Sequence, residues 1–251
     1  MTAKRTIRIF DDNEALAQEA ARLLTTLAVQ RTEAEQPFTI ALAGGSTPKN
    51  LYRLLTTSPY RESLSWENIH FFFGDERCVS PDNENSNYHM VQESLLAALP
   101  APLPDVFRMP ADLPDPDIAA QRYEAELIRF FQLEAGQIPR FDLILLGMGA
   151  DGHTASLFPQ KPALHEQQRL VVASEPGLEP FVTRLTLTYP VLNNAANVLF
   201  LVEKEDKAET VACVLEGTAD PENLPSQAVQ PTNGSLTWFL DRPAASKLTT
   251  I

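Results

Sequence analysis

The sequence predicts an α/β fold in which a mostly parallel sheet carries helices on both faces. Two observations support this. Apolar segments such as FTIALA (38–43) and FDLILL (141–146) read as strands buried on both sides, and helical-period segments alternate with them. At 251 residues the chain can bury a large core, as one α/β domain of above-average size or as two small ones.

Residues 6–10 (TIRIF) open as a short strand. The next segment, 13–28, places Leu16, Ala20, Leu23, Leu24 and Leu27 on one helical face behind Asp12 or Asn13 as cap. Strand 38–43 runs into Gly44-Gly45-Ser46-Thr47-Pro48. Pro48 suits the first turn of a helix with Ser46 or Thr47 as N-cap, and Leu51, Leu54 and Leu55 form its apolar face. Strand 69–73 (IHFFF) ends in Gly74-Asp75-Glu76-Arg77, and a helix is expected from about Asn87 to Leu99.

Six of the 20 prolines fall between Pro100 and Pro116, which argues for an irregular surface connection there. A helix at 117–132 (Ile118, Tyr123, Leu127, Phe130, Phe131) leads to strand 141–146 and the turn Gly147-Met148-Gly149-Ala150-Asp151-Gly152-His153. Further strands are expected toward the C-terminus at 169–173, 183–188, 197–202 and 236–240, with a helix at 207–216 ending at Gly217. No internal repeat or low-complexity segment is present.

Composition excludes several classes of function. A chain that is 44% apolar and 21% charged reads as globular, and no apolar run approaches the ~20 residues of a membrane span. The first sixteen residues lack the apolar stretch of a secretory leader, so a cytoplasmic location is expected. Cys78 and Cys213 are far apart and read as free thiols. A net charge of −13 disfavours nucleic acid or anionic membrane as partner. An anionic ligand therefore needs a local basic pocket.

In a parallel sheet ligands bind beyond the carboxyl ends of the strands, and the turns 44–48, 74–77 and 147–153 all sit there. The first joins a strand to a helix, where free backbone N–H groups can hold a phosphate or simply make an ordinary turn. It is not a Walker A loop, because Lys49 falls too early. Residues 147–152 match GxGxxG, yet Pro159 and Pro162 arrive too soon for the helix a dinucleotide site requires, so no such cofactor is expected. The glycines instead display Asp151 and His153. Of the four histidines, His153 alone lies on the ligand rim with an acid two residues away, which suits a general base. His70, His89 and His165 take structural readings. No HExxH pattern or Cys/His cluster appears, so no metal is assigned. Asp75-Glu76-Arg77 is either an active cluster or a solvated one. Lys207, in the first turn of its helix, opposes the helix dipole unless an anion lies near.

Taken together, ALAGGSTPKNLY (41–52), FFFGDERCVSPDNENSNYHM (71–90), FDLILLGMGADGHTASLFP (141–159), RLTLTYPVLNNA (184–195), EDKAE (205–209) and LTWFLD (236–241) resemble the 6-phosphogluconolactonase family, within the group that includes glucosamine-6-phosphate deaminases. The resemblance implies one Rossmann-like α/β domain over 1–251, no cofactor, a sugar-phosphate lactone as ligand and a place in the oxidative pentose phosphate pathway. It leaves the oligomeric partner unknown. By that resemblance Gly44, Gly45, Ser46, Thr47, Arg184 and Lys207 bind phosphate. Asp75 and Arg77 belong to the active site, and His153 activates water with Asp151 beside it. Arg77 and backbone N–H groups near Gly149 to Gly152 are candidates for the oxyanion, and Ser156 lacks the GxSxG elbow of a nucleophile. Two other readings stand beside this one. A deaminase is disfavoured by Glu-Arg after Asp75 and by SLFP after His153, where an added carboxylate is expected; the other is a noncatalytic sugar-phosphate-binding module.

Overall fold

The structure, a computed structural model, describes residues 5–250. Residues 1–4, on which part of the leader reading rests, lie outside the described residues.

In chain order the elements are β1 (Arg5–Phe10), α1 (Asn13–Glu33), β2 (Phe38–Leu42), α2 (Ser46–Leu55), α3 (Tyr60–Ser63), β3 (Ile69–Phe73), β4 (Asp75–Arg77), α4 (Asn87–Ser94), β5 (Asp105–Val106) and α5 (Pro116–Phe131). There follow β6 (Leu143–Leu146), β7 (Val171–Ser174), β8 (Arg184–Leu187), α6 (Tyr189–Asn194), β9 (Asn197–Val202), α7 (Ala208–Glu216), β10 (Ser235–Asp241) and α8 (Arg242–Ala245). Seven strands form one sheet in the order β1-β10-β9-β6-β2-β3-β5, and every pairing in it is parallel. β2 and β6 are buried at every position, as a sheet covered on both faces requires.

From β2 the chain winds outward through β3 to β5, whereas β6, β9, β10 and β1 lie on the other side. The winding direction therefore changes between β2 and β6. The turns that leave these two strands diverge there and open a crevice beyond the carboxyl ends. This single topological fact places 44–48 and 147–153 on facing walls.

Several expectations are corrected. The residues 169–173 and 183–188 do contain strands, but β7 and β8 join β4 in a separate antiparallel sheet, ordered β4-β8-β7. Alternating burial is not the reason, since β8 is buried throughout; the return through 175–183 is too short for the crossover that a parallel pairing needs. The Pro-rich stretch is not wholly irregular. The residues after Pro104 keep their N–H groups, so β5 pairs with β3, and the Phe107 ring stacks on Phe72 at 4.5 Å. The helix from Asn87 stops at Ser94 and tightens into a 3₁₀ turn at Leu96–Ala98. Helix α1 continues to Glu33, with Asp12 capping the Ala15 N–H at 2.8 Å. Helix α6, with Pro190 in its first turn, was not anticipated.

Candidate functional site

At the crevice a cavity of ≈250 Å³ is walled by the 44–48 turn, Asp75 and Arg77, Gly147 to Gly149, His153, Arg184 and Lys207. Every site residue named from the sequence lines it except Asp151, which stands behind His153. A larger open depression of ≈550 Å³ beside His165, Tyr189 and Asn193 carries no Lys or Arg. It lacks the charge an anionic ligand requires.

The first wall follows from glycine. Helix α2 starts at Ser46, so its N-cap is Gly45 at φ 102° rather than Ser46 or Thr47. Gly45 reaches that left-handed turn without steric penalty and leaves the Ser46 and Thr47 side chains to the cavity rather than to capping. Gly44 is required by close approach: a Cβ there would stand 1.9 Å from Asn87 Oδ1.

That asparagine organises the second wall. Its Nδ2 donates to the Asp75 carbonyl at 2.9 Å and to Asp75 Oδ1 at 3.2 Å, while its Oδ1 accepts from an Arg77 terminal nitrogen at 2.7 Å. The same Arg77 nitrogen donates to the Asn85 carbonyl at 2.8 Å, and Arg77 Nε is buried without a partner. Asp75 is closed from the other side by Ser156 Oγ–H at 2.6 Å. Glu76 points away from the cavity into the start of α4. It accepts from the N–H groups of Arg77, Asn87 and Tyr88 at 2.7 to 2.8 Å and from Ser86 Oγ at 2.9 Å. Burial pushes its carboxyl upward against those four donors.

The third wall is the turn 147–153, closed by Gly149 N–H to the His153 carbonyl at 3.0 Å. His153 Nδ1 lies 2.5 Å from Asp151 Oδ1, and its ring packs on Phe158 at 4.7 Å. Burial raises the Asp151 carboxyl, but the His153 hydrogen bond and charge outweigh it and hold the group below its ordinary 3.8. Gly149 leaves room for the ring, since a Cβ there would meet His153 Nδ1 at 2.1 Å.

Cations converge on the cavity without carboxylate partners. Arg184 is 4% exposed and donates only to the carbonyls of Leu178, Pro180 and Val182, with its guanidinium over the Phe158 ring. Burial, and then the neighbouring Arg77 charge, lower its pKa. Lys207 is the N-cap of α7 rather than a residue inside it, behind a 3₁₀ turn at Glu205–Lys207. Burial lowers its pKa too. Among the described residues Arg77, Arg184 and Lys207 form no ion pair, so three positive charges face one cavity in a chain of net charge −13. A bound anion would offset them.

The sequence did not single out Asn87 as an organiser, Ser156 as a partner of Asp75, or Glu203 and Lys204 beside Ser46. An Asn at a helix start reads locally as a capping signal, and only the tertiary fold turns it toward Asp75. His70 Nδ1 lies 3.2 Å from Asp105 and His89 Nε2 3.5 Å from Glu93, and neither lines the cavity. Among the described residues no group of three or more His, Cys, Asp or Glu side chains is placed to hold a metal ion, and no helix is long and apolar enough to cross a membrane.

Comparison with known proteins adds four findings. The family described as glucosamine-6-phosphate isomerases/6-phosphogluconolactonase matches residues 11–238. A 6-phosphogluconolactonase of Synechocystis sp. is 43% identical over 237 residues, 94% of this chain and 95% of its own. Among solved structures, the devB protein superposes with a TM-score of 0.88 at 35% identity over 98% of this chain and 100% of its own. The 6-phosphogluconolactonase from Trypanosoma cruzi superposes at 0.86 and 31% over 99% and 98%.

Proposed function

The chain belongs to the glucosamine-6-phosphate isomerase/6-phosphogluconolactonase family, and on that premise we propose that it hydrolyses 6-phospho-D-glucono-1,5-lactone to 6-phospho-D-gluconate in the oxidative pentose phosphate pathway. The observation that carries the reading is the placement of an Asp-oriented histidine in the same cavity as three carboxylate-free cations.

Each part follows from the chemistry of the residues. Asp151 accepts from Nδ1–H, which fixes the tautomer and leaves Nε2 as a proton acceptor. Nε2 takes a proton from water as the water oxygen bonds to C1 of the lactone. The carbonyl electrons move to oxygen, and the oxyanion is met by the Arg77 guanidinium, which lines the cavity. Collapse breaks the bond from C1 to the ring oxygen, the imidazolium returns its proton to that oxygen, and the product acid ionises. Asn87 and Asp75 keep Arg77 in place, and Asp75 has lone pairs left for sugar hydroxyls. The turn 44–47, Arg184 and Lys207 hold the phosphate, so binding energy remote from C1 orients the ring.

The test uses fresh lactone generated in situ, with decay compared to the spontaneous rate. The protein should accelerate it, and a folded His153→Ala variant should lose about 10²–10⁴-fold in kcat, the range for a missing general base. No acceleration would remove the reaction; near-normal turnover by the variant would remove His153 from its role.

A further inference from the structure

Where β9 ends, the two residues Glu203 and Lys204 lie beside the 44–48 turn in an arrangement that the reading above does not use. Lys204 holds φ 82° and ψ 149°, a conformation that glycine adopts freely and L side chains rarely do. It is fixed there by its own N–H, which donates to both carboxylate oxygens of Asp241 at 3.1 and 3.0 Å, while Asp241 also caps the Ala244 N–H at 2.8 Å. A strained backbone persists only where the surroundings over-determine it, and here a lysine is held where a glycine would relieve the strain.

The side chain shows what the conformation achieves. Lys204 Nζ lies 3.5 Å from Ser46 Oγ and 3.8 Å from Glu203 Oε1. Its side chain is 61% exposed, so it reaches along the rim without being packed in place. Glu203 is its opposite. It is 3% exposed, accepts the Ser46 hydroxyl proton through Oε1 at 3.0 Å, and leaves Oε2 buried without a partner. A half-satisfied buried carboxylate next to an anion-binding turn is unfavourable on its own. It becomes favourable when it keeps two lysines, Lys204 and Lys207, from repelling each other across that turn.

We propose that Lys204, positioned by Glu203 and Ser46, is a specificity-determining residue of the phosphate end and selects a phosphomonoester dianion; the inference rests on the phosphate site assigned above. Lys204 adds a third cation to Lys207 and Arg184, against the carboxylates of Glu203, Asp206 and Asp241 that temper the lysines. Three converging cationic donors suit a phosphomonoester, which carries about −1.5 to −2 at neutral pH, better than a singly charged carboxylate or sulfate ester. The Ser46 hydroxyl donates its one hydrogen bond to Glu203, so it has none left for a ligand, and Lys204 supplies the donor at that position instead.

The experiment measures inorganic phosphate binding by calorimetry and lactone turnover for the parent, Lys204→Gly and Lys204→Arg. Lys204→Gly should raise the thermal midpoint, because glycine relieves the backbone conformation. It should nevertheless weaken phosphate binding about 5- to 30-fold and raise KM for the phosphorylated lactone by the same factor, the loss of one charge-assisted hydrogen bond. Lys204→Arg should recover most of that loss. Unaltered phosphate affinity in Lys204→Gly, or a loss in kcat rather than KM, would overturn the inference. Phosphate binding that depends on Lys204 in a protein that leaves the lactone untouched would uphold it while removing the lactonase reading. Normal turnover with an indifferent Lys204→Gly would do the reverse.

Discussion

Replacing Gly149 with Ala perturbs the proposed base without deleting any functional group. A Cβ at this position would stand 2.1 Å from His153 Nδ1, 2.2 Å from His153 Cε1 and 2.6 Å from Asp151 Oδ1. Favourable contacts begin near ~3.5 Å, so the ring must retreat by more than about 1 Å. Phe158 at 4.7 Å flanks the ring and limits how far it can move without breaking its Nδ1 contact to Asp151. A displacement of about 1 Å in a reacting group costs on the order of 10²-fold. Gly149→Ala should therefore lower kcat about 10²-fold, with KM changed little because the phosphate wall is elsewhere. The assay is steady-state hydrolysis of lactone generated in situ, with circular dichroism and a thermal melt to verify folding. Turnover within twofold of the parent in a folded variant would refute the claim that the position of His153 governs the rate.

Three further perturbations separate the walls of the cavity. Asp151 has its carboxyl held below 3.8, so its contribution to stability is present above the unfolded value and is lost as pH falls through the folded one. Chemical denaturation should show the margin of the parent over Asp151→Asn closing as pH falls below about 4; a gap unchanged at low pH would contradict this. Glu76→Ala strands the Asn87 and Tyr88 N–H groups and should cost about 2–4 kcal/mol, read as a melting point lower by roughly 5–15 °C. An unchanged melt would mean that α4 does not depend on this carboxylate. Lys207→Ala should reduce kcat/KM about 10- to 150-fold on the phosphorylated lactone, the loss of one hydrogen bond to a charged group, and far less on gluconolactone. Equal losses on both would place Lys207 at the chemistry or in the fold.

How much of this was legible in the sequence depends on whether the deciding contacts were local. The apolar runs of β2, β6 and β9 marked a buried parallel sheet, and the carboxyl-end rule then gathered three turns on one rim before any contact was known. His153 and Asp151 are two residues apart, so their pairing was within reach of sequence reasoning. The antiparallel sheet was not: β4 pairs with β8 across more than a hundred residues, and three-residue Asp75–Arg77 carries no periodicity of its own. Arg77 and Arg184 meet because that register makes them partners. Gly45 took the cap expected of Ser46 or Thr47, since turn geometry with positive φ outweighed side-chain capping preference. The Asn87 clamp and the Glu203 contact to Ser46 likewise join residues that only the folded sheet brings together.

The most direct test of a single cavity that grips phosphate at one end and hydrolyses a lactone at the other is a crystal structure with 6-phosphogluconate bound. The phosphate should sit within hydrogen-bond distance of the 44–47 turn, Arg184 and Lys207, and the C1 carboxylate should lie between His153 Nε2 and Arg77. A phosphate bound away from these residues, or a product turned end for end with its carboxylate on Lys207, would contradict the account.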